Sequence, residues 1–250
     1  MLILFMKEAL NRIFKLLVIF SISLNSMSQE STSFACSYFP PYKIKNEGDH
    51  MGIDVDIISE VYKSIGKKNK YIFLPWKRAL KSVENGELDA LCGCSYLKSR
   101  ERLFHYSQEV GKNSIGIFTL KDNNTVIKNI MDLNSHSVAV VRGYSLENEL
   151  LSSSAKVVRV KDESQLIRLL KSKRVDAIYS FKNPIMYLLK KNKIENNLRY
   201  REFKSSSYYS CFSKKTTNAD FISEFNKGLS TIRKNGIYEK ILIKYLGDPI

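Results

Sequence analysis

Apolar positions recur along this chain in two alternating periods. Between Ile53 and Ile65 the residues Ile57, Ile58, Val61, Tyr62 and Ile65 fall at helical spacing, and Gly66 supplies a C-terminal stop. Short apolar runs bounded by turn residues lie on either side, Thr32 to Tyr38 and Tyr71 to Leu74, and predict strands. Trp76 to Val83 returns to the helical period, and Leu88 to Cys94 to an apolar strand. This order predicts a parallel sheet joined by right-handed crossovers. Ser114 to Leu120 then reads as an extended segment leading away from it.

The same order starts again downstream. Ser137 to Val141, Val157 to Val160 and Val175 to Ser180 read as strands, each followed by a helix. For the last of these helices Asn183 is the expected N-cap, with Pro184 in the first turn. The two halves echo each other in detail: Arg78 to Leu91 and Gln165 to Ile178 both run from a helical stripe through a polar turn into a strand opening with Asp-Ala, at Asp89 and Asp176. Tyr208 to Ser213 predicts a second crossing strand, and Ala219 to Arg233 and Gly236 to Tyr245 two closing helices. The predicted fold class is α/β, with two Rossmann-like lobes joined by a two-strand hinge. Residues 29–115 and 207–250 form lobe I and residues 116–206 form lobe II. Two lobes with one cleft between them describe a ligand clamp that closes by bending at the hinge.

The N-terminus adds a location. Lys7, Arg12 and Lys15 precede the apolar run Leu16 to Leu24, and Ser26-Met27-Ser28 places small residues before a cut. The run is shorter than the roughly 20 residues of a spanning helix. Residues 1–28 are therefore read as a cleavable signal peptide and the remainder as an exported, periplasmic protein.

Composition is that of a globular protein, with 44% hydrophobic residues, but the formal net charge is +15. Its lysines are scattered over helices and turns (Lys67, Lys68 and Lys70; Lys190, Lys191 and Lys193) rather than interleaved with aromatics in one groove. That distribution argues against a nucleic-acid partner and for a solvated basic surface that attracts anionic ligands or the membrane face. The three His show no metal-ligand spacing with one another or with the Cys, and no cofactor or metal is expected. Cys92 and Cys94, two apart on one strand, are expected on one face. An oxidising compartment allows a bridge from Cys36 to either of them, but the state adopted here for Cys36, Cys92, Cys94 and Cys211 is free thiols buried as small hydrophobes. Asp89 and Asp176 are read as turn braces, since neither has a nucleophile and base arranged beside it. The chain is not read as an enzyme, and a monomer is expected.

Taken in order, Phe39-Pro40-Pro41-Tyr42, Gly52 to Asp56, Gly86 to Ala90, Ser95 through Arg100 to Ser107, Val138 to Ser145, and Asn235-Gly236-Ile237-Tyr238 to Gly247 resemble the periplasmic amino-acid-binding proteins of ABC importers, family 3 of the bacterial solute-binding proteins. The likeness covers nearly the whole exported chain and implies the type 2 periplasmic binding architecture. Pro75-Trp76-Lys77-Arg78-Ala79 resembles a subgroup with a Pro-Trp-x-Arg-Ala helix start.

The resemblance also implies a site. Arg100 matches the arginine that grips a ligand carboxylate, for which its planar fork is suited; Arg102 is read as a solvated charge. Gly93 and Ser95 match positions that meet the same carboxylate and the amine. Phe39 and Trp76 match the walls above and below the ligand. Gly143, Tyr144 and Ser145, between a strand and a helix start, match a second-lobe anion site made of backbone N–H groups. Two departures follow: Phe181 and Cys36 stand where the family usually has acids that hold the ligand ammonium. A desolvated ammonium without a counter-charge costs several kcal/mol, so Asp54, Glu109 or another acid must take over, or the ligand carries no ammonium. The expected function is capture of a small polar, carboxylate-bearing solute, an amino acid or a related compound, for ABC-type uptake. The alternatives are a periplasmic sensory module for a membrane signalling protein and, less favoured, a dehydratase-like enzyme on the same fold.

Overall fold

The computed structural model describes residues 31–45, 51–123, 125–193 and 197–247; the expected signal peptide lies outside them. Strands β1 (Thr32–Cys36), β2 (Asn69–Phe73) and β3 (Ala90–Ser95) alternate with helices α1 (Ile53–Ser64) and α2 (Trp76–Asn85). After β4 (Phe104–Tyr106) and β5 (Gly111–Leu120), a second set follows: β6 (Ser137–Val141), α3 (Ser145–Leu151), β7 (Lys156–Val160), α4 (Glu163–Lys171), β8 (Ala177–Phe181) and α5 (Lys182–Lys191). The long β9 (Leu198–Ser213) returns to the first set, and α6 (Ala219–Lys234) and α7 (Ile237–Leu246) close the chain.

These strands form one sheet in the order β2-β1-β3-β9-β5-β8-β6-β7, with β4 also on β9. β1 pairs in parallel with β2 and β3, and β6 with β7 and β8. Each half is thus a three-stranded parallel unit with crossover helices, as the alternating periods predict. The antiparallel strands β5 and β9 join the two units. β9 begins well before the expected Tyr208. Its first half, Arg199 to Ser207, is largely polar, with Tyr200 and Phe203 three residues apart as its aromatic members, so it carries no apolar alternation. Backbone pairing with β5, from Leu120 opposite Leu198 to Gly111 opposite Tyr208, holds it, with ring contacts from Tyr200 to Phe118 and from Phe203 to Tyr179. The register of that pair shifts between Ile115 and Gly116.

The echo in sequence is an echo in structure. Asp89 Oδ2 accepts from the Ser33 amide and hydroxyl at 2.8 and 2.7 Å. Asp176 Oδ2 accepts from the Ser137 amide and hydroxyl, both at 2.7 Å. In each half the aspartate ahead of the third strand clamps the start of the first strand, a structural role as expected but one that ties two strands together rather than bracing its own turn. The turns before them match too: Gly86 (φ 78) and Lys173 (φ 56) are both left-handed, the first without a Cβ penalty and the second with one.

Three expectations are corrected. Among the described residues no cysteine is free: Cys36 is bonded to Cys92 and Cys94 to Cys211, with Cα–Cα distances of 5.1 and 6.2 Å. Cys92 and Cys94 do not share a face. β3 carries one extra residue against β9, since Leu91 opposes Cys211 and Cys94 opposes Tyr209. This bulge around Gly93 turns Cys94 into the small core under α2, with Ala79, Val83 and Phe104, while Cys92 stays in the main core. Asn183 is not the cap of α5, which starts two residues earlier, at Lys182 with Phe181 as the N-cap; its side chain is used elsewhere.

Candidate functional site

The turn after β1 sets the floor of a cavity between the two halves. Phe39 and Lys43 exchange backbone hydrogen bonds at 2.9 Å across Pro40-Pro41-Tyr42. This tight reversal places both side chains in the cavity, with the Lys43 ammonium 4.7 Å from the centre of the Phe39 ring. Lys43 also forms an ion pair with Asp54 Oδ2 at 2.8 Å, in the first turn of α1. The other Asp54 oxygen accepts from the Tyr208 hydroxyl at 2.8 Å. All three residues are buried. Burial pushes the Asp54 carboxyl up from its ordinary range, opposed by the Lys43 charge and by both hydrogen bonds.

Gly93 makes this pairing fit. A Cβ on it would stand 2.8 Å from Asp54 Oδ2 and 3.3 Å from Lys43 Nζ. The β3 bulge therefore brings bare backbone against the ion pair, and Cys94 and Ser95 follow it into the cavity wall.

Aromatic rings make the other walls. Trp76, at the start of α2, stands edge-on to Tyr144 at 5.7 Å between ring centres. Phe39 stands edge-on to Tyr144 at 6.1 Å and to Phe181 at 5.5 Å. These contacts join the first half to the second, so the cleft is closed in this arrangement. Polar contacts close it too: Trp76 Nε1 and the Arg100 guanidinium donate to the Gly143 carbonyl at 3.0 and 2.9 Å. The Asn183 amide donates to the Tyr42 hydroxyl at 2.8 Å.

Arg100 is half-buried on the cavity and 5.9 Å from the Trp76 ring centre. Desolvation pulls its guanidinium pKa down, and among the described residues no carboxylate pairs with it. Arg102 is exposed and away from the cavity. Behind the aromatic wall Tyr144 donates its hydroxyl to Glu163 at 2.7 Å, and burial pushes that carboxyl up to about 7.

The cavity thus brings together Phe39, Trp76, Gly93, Ser95, Arg100, Tyr144, Ser145 and Phe181. Gly143 sits one step back. Its amide donates to Glu147 at 2.5 Å and that of Tyr144 to the Val141 carbonyl at 3.2 Å, so in the closed arrangement these two N–H groups are engaged. Of the acids considered as ammonium partners, Asp54 reaches the cavity but is already paired. Glu109 does not reach it; its carboxylate is bonded to Ser207. Cys36 is consumed in its disulfide. Sequence reasoning missed Lys43, whose signal was its position just past a Pro-Pro reversal, and Asn113 and Tyr208 on the joining strands. Among the described residues no cluster of His, Cys, Asp and Glu is arranged to hold a metal.

Residues 34–248 match the bacterial extracellular solute-binding proteins, family 3. The L-cystine-binding protein TcyA of Bacillus subtilis is 24% identical over 210 residues, covering 84% of this chain and 77% of the relative. A histidine kinase sensor domain with similarity to periplasmic binding proteins superposes with a TM-score of 0.81 at 22% identity, covering 88% of this chain and 99% of the other. An ancestral arginine-binding protein bound to arginine gives 0.79 at 24% identity, covering 88% and 100%. These likenesses carry the type 2 periplasmic binding fold.

Proposed function

The chain belongs to family 3 of the bacterial extracellular solute-binding proteins, and on that premise we propose that its two lobes, residues 29–115 with 207–250 and residues 116–206, close on a small carboxylate-bearing solute for ABC-type uptake. The solute is an amino acid or a related acid, delivered by a monomer to a membrane permease. The observation that carries this reading is Arg100: a half-buried guanidinium facing an aromatic-walled cavity, with no carboxylate of the described residues paired to it. A ligand carboxylate supplies the missing partner in bidentate form. The amino-acid ligands named for the relatives support the same class, TcyA for cystine and the ancestral protein for arginine. Pro75-Trp76-Lys77-Arg78-Ala79 supports placement in the Pro-Trp-x-Arg-Ala subgroup, because it seats Trp76 in the cavity wall. Export after Ser28 places the protein in the periplasm.

The register shift at Ile115 and Gly116 supports a hinge at the expected lobe boundary. A Cβ on Gly116 would stand 2.1 Å from the Arg201 carbonyl oxygen, so the joining strands meet there with bare backbone.

The test is a thermal-shift screen of the purified protein against amino acids, their deaminated acids, polyamines and small aromatic acids. A ligand at 100 times its Kd adds about 2.7 kcal/mol to the folded state. A saturable rise in Tm with carboxylates and none with polyamines supports the reading; a rise with polyamines alone contradicts it. A second reading, a sensory module for a membrane kinase, draws on the sensor-domain likeness. Permease and ATPase genes beside this one favour transport, and a kinase gene favours sensing.

A further inference from the structure

We propose that Lys43 is the specificity determinant of this cavity, its ammonium filling the cation niche of the cleft so that the bound solute is an organic acid with no ammonium group, of the 2-oxo or 2-hydroxy acid class. The inference rests on the carboxylate reading above and narrows it.

The niche has the parts that hold a cation. The face of Phe39 lies 4.7 Å from Lys43 Nζ, and an aromatic face attracts positive charge. Asp54 supplies a carboxylate at 2.8 Å, fixed on its other oxygen by Tyr208. Gly93 contributes bare backbone against both charges. A ligand ammonium would need this set, and the protein's own ammonium occupies it. Lys43 is 5% exposed, its backbone is fixed by the Phe39–Lys43 bridge, and its ammonium is held by the Asp54 carboxylate and the Phe39 face.

Charge balance agrees. The charged side chains lining the cavity are Lys43, Asp54 and Arg100, a net single positive charge. A 2-oxo or 2-hydroxy acid neutralises it. A zwitterionic amino acid adds a third cation beside Lys43 and Arg100, with the lining carboxylate already paired and Phe181 and the bonded Cys36 offering no acid. Two like charges at close range repel strongly where the side chains are buried. The aromatic walls from Phe39, Trp76, Tyr144 and Phe181 favour a flat or apolar solute body.

Calorimetric titration with matched pairs that differ only at the 2-position tests this: phenylalanine against phenylpyruvate, leucine against 4-methyl-2-oxopentanoate, and 2-aminobutyrate against 2-oxobutyrate. We expect the oxo member of at least one pair to bind at least tenfold more tightly than its amino partner. Lys43→Met, which frees Asp54 to accept a ligand ammonium, should reduce that ratio tenfold or reverse it. Because the single variant strands a buried carboxylate, Lys43→Met with Asp54→Asn is the companion, and its ratio should approach one. Equal or tighter binding of the amino members by the unaltered protein overturns the inference and leaves the carboxylate reading standing. An oxo preference that survives in both variants also overturns it. Binding of neither member of any pair overturns the carboxylate reading and the inference with it.

Discussion

Tyr144 donates its hydroxyl to Glu163 at 2.7 Å, so a cavity wall of the second half rests on a buried carboxyl. Glu163 keeps its proton up to about pH 7 in the folded protein, where burial disfavours its charge. An unfolded glutamate releases its proton near 4.3. Between those values the folded state binds more protons than the unfolded state. This contribution to stability is therefore complete below about pH 4 and is lost as pH rises through about 7.

The first prediction follows from that sign. The unaltered protein should lose roughly 2–3 kcal/mol of stability from this group between pH 5 and 8, and Glu163→Gln should remove that slope. Urea unfolding midpoints of both proteins at pH 5 and pH 8 provide the check. Parallel pH dependences would contradict the assignment.

A second prediction concerns the paired braces. Asp89→Ala leaves the Ser33 amide and hydroxyl without their charged acceptor, at a cost of about 1.5–3 kcal/mol. Asp176→Ala should cost less, because that side chain is 50% exposed and water replaces part of its role. The Ser137 hydroxyl and amide hold the Asp176 carboxyl below its usual range. Its contribution is thus present above the unfolded pKa and fades as pH falls through the folded one. Chemical unfolding of the two variants should rank Asp89→Ala as the more damaging; the reverse order would mean the two halves are not braced alike.

Reduction is the third. Cys36–Cys92 and Cys94–Cys211 fasten β3 to β1 and to β9, on either side of the Gly93 bulge. Each bridge constrains the unfolded chain by about 2–4 kcal/mol. Full reduction should lower Tm and, because Gly93, Cys94 and Ser95 line the cavity, weaken ligand binding in the fraction that stays folded. Differential scanning calorimetry and titration with and without reductant will show both effects; an unchanged Tm would mean the bridges are not formed in solution.

Much of this architecture was legible before the structure because it rests on local pattern. The stripe of α1 and the Asp-Ala echo at Asp89 and Asp176 follow from short-range periodicity, and the seating of Trp76 and Arg100 on the cavity was implied by the family resemblance. What was not legible depends on partners distant in sequence. The polar first half of β9 is a strand only because β5 pairs with it. Cys94 finds Cys211 only because one extra residue in β3 reverses its side chain. Lys43 reaches Asp54 only because the chain reverses between Phe39 and Lys43 and α1 returns alongside.

The central claim is that Arg100 holds a ligand carboxylate. The most direct measurement is calorimetric titration of the unaltered protein, Arg100→Ala and Arg102→Ala with the carboxylate that gives the largest thermal shift. We predict that Arg100→Ala weakens binding a hundredfold or more, in line with loss of about 3 kcal/mol from a charge-assisted bidentate contact, and that Arg102→Ala stays within about twofold. Equal losses in both variants, or unchanged binding in Arg100→Ala, would contradict the account.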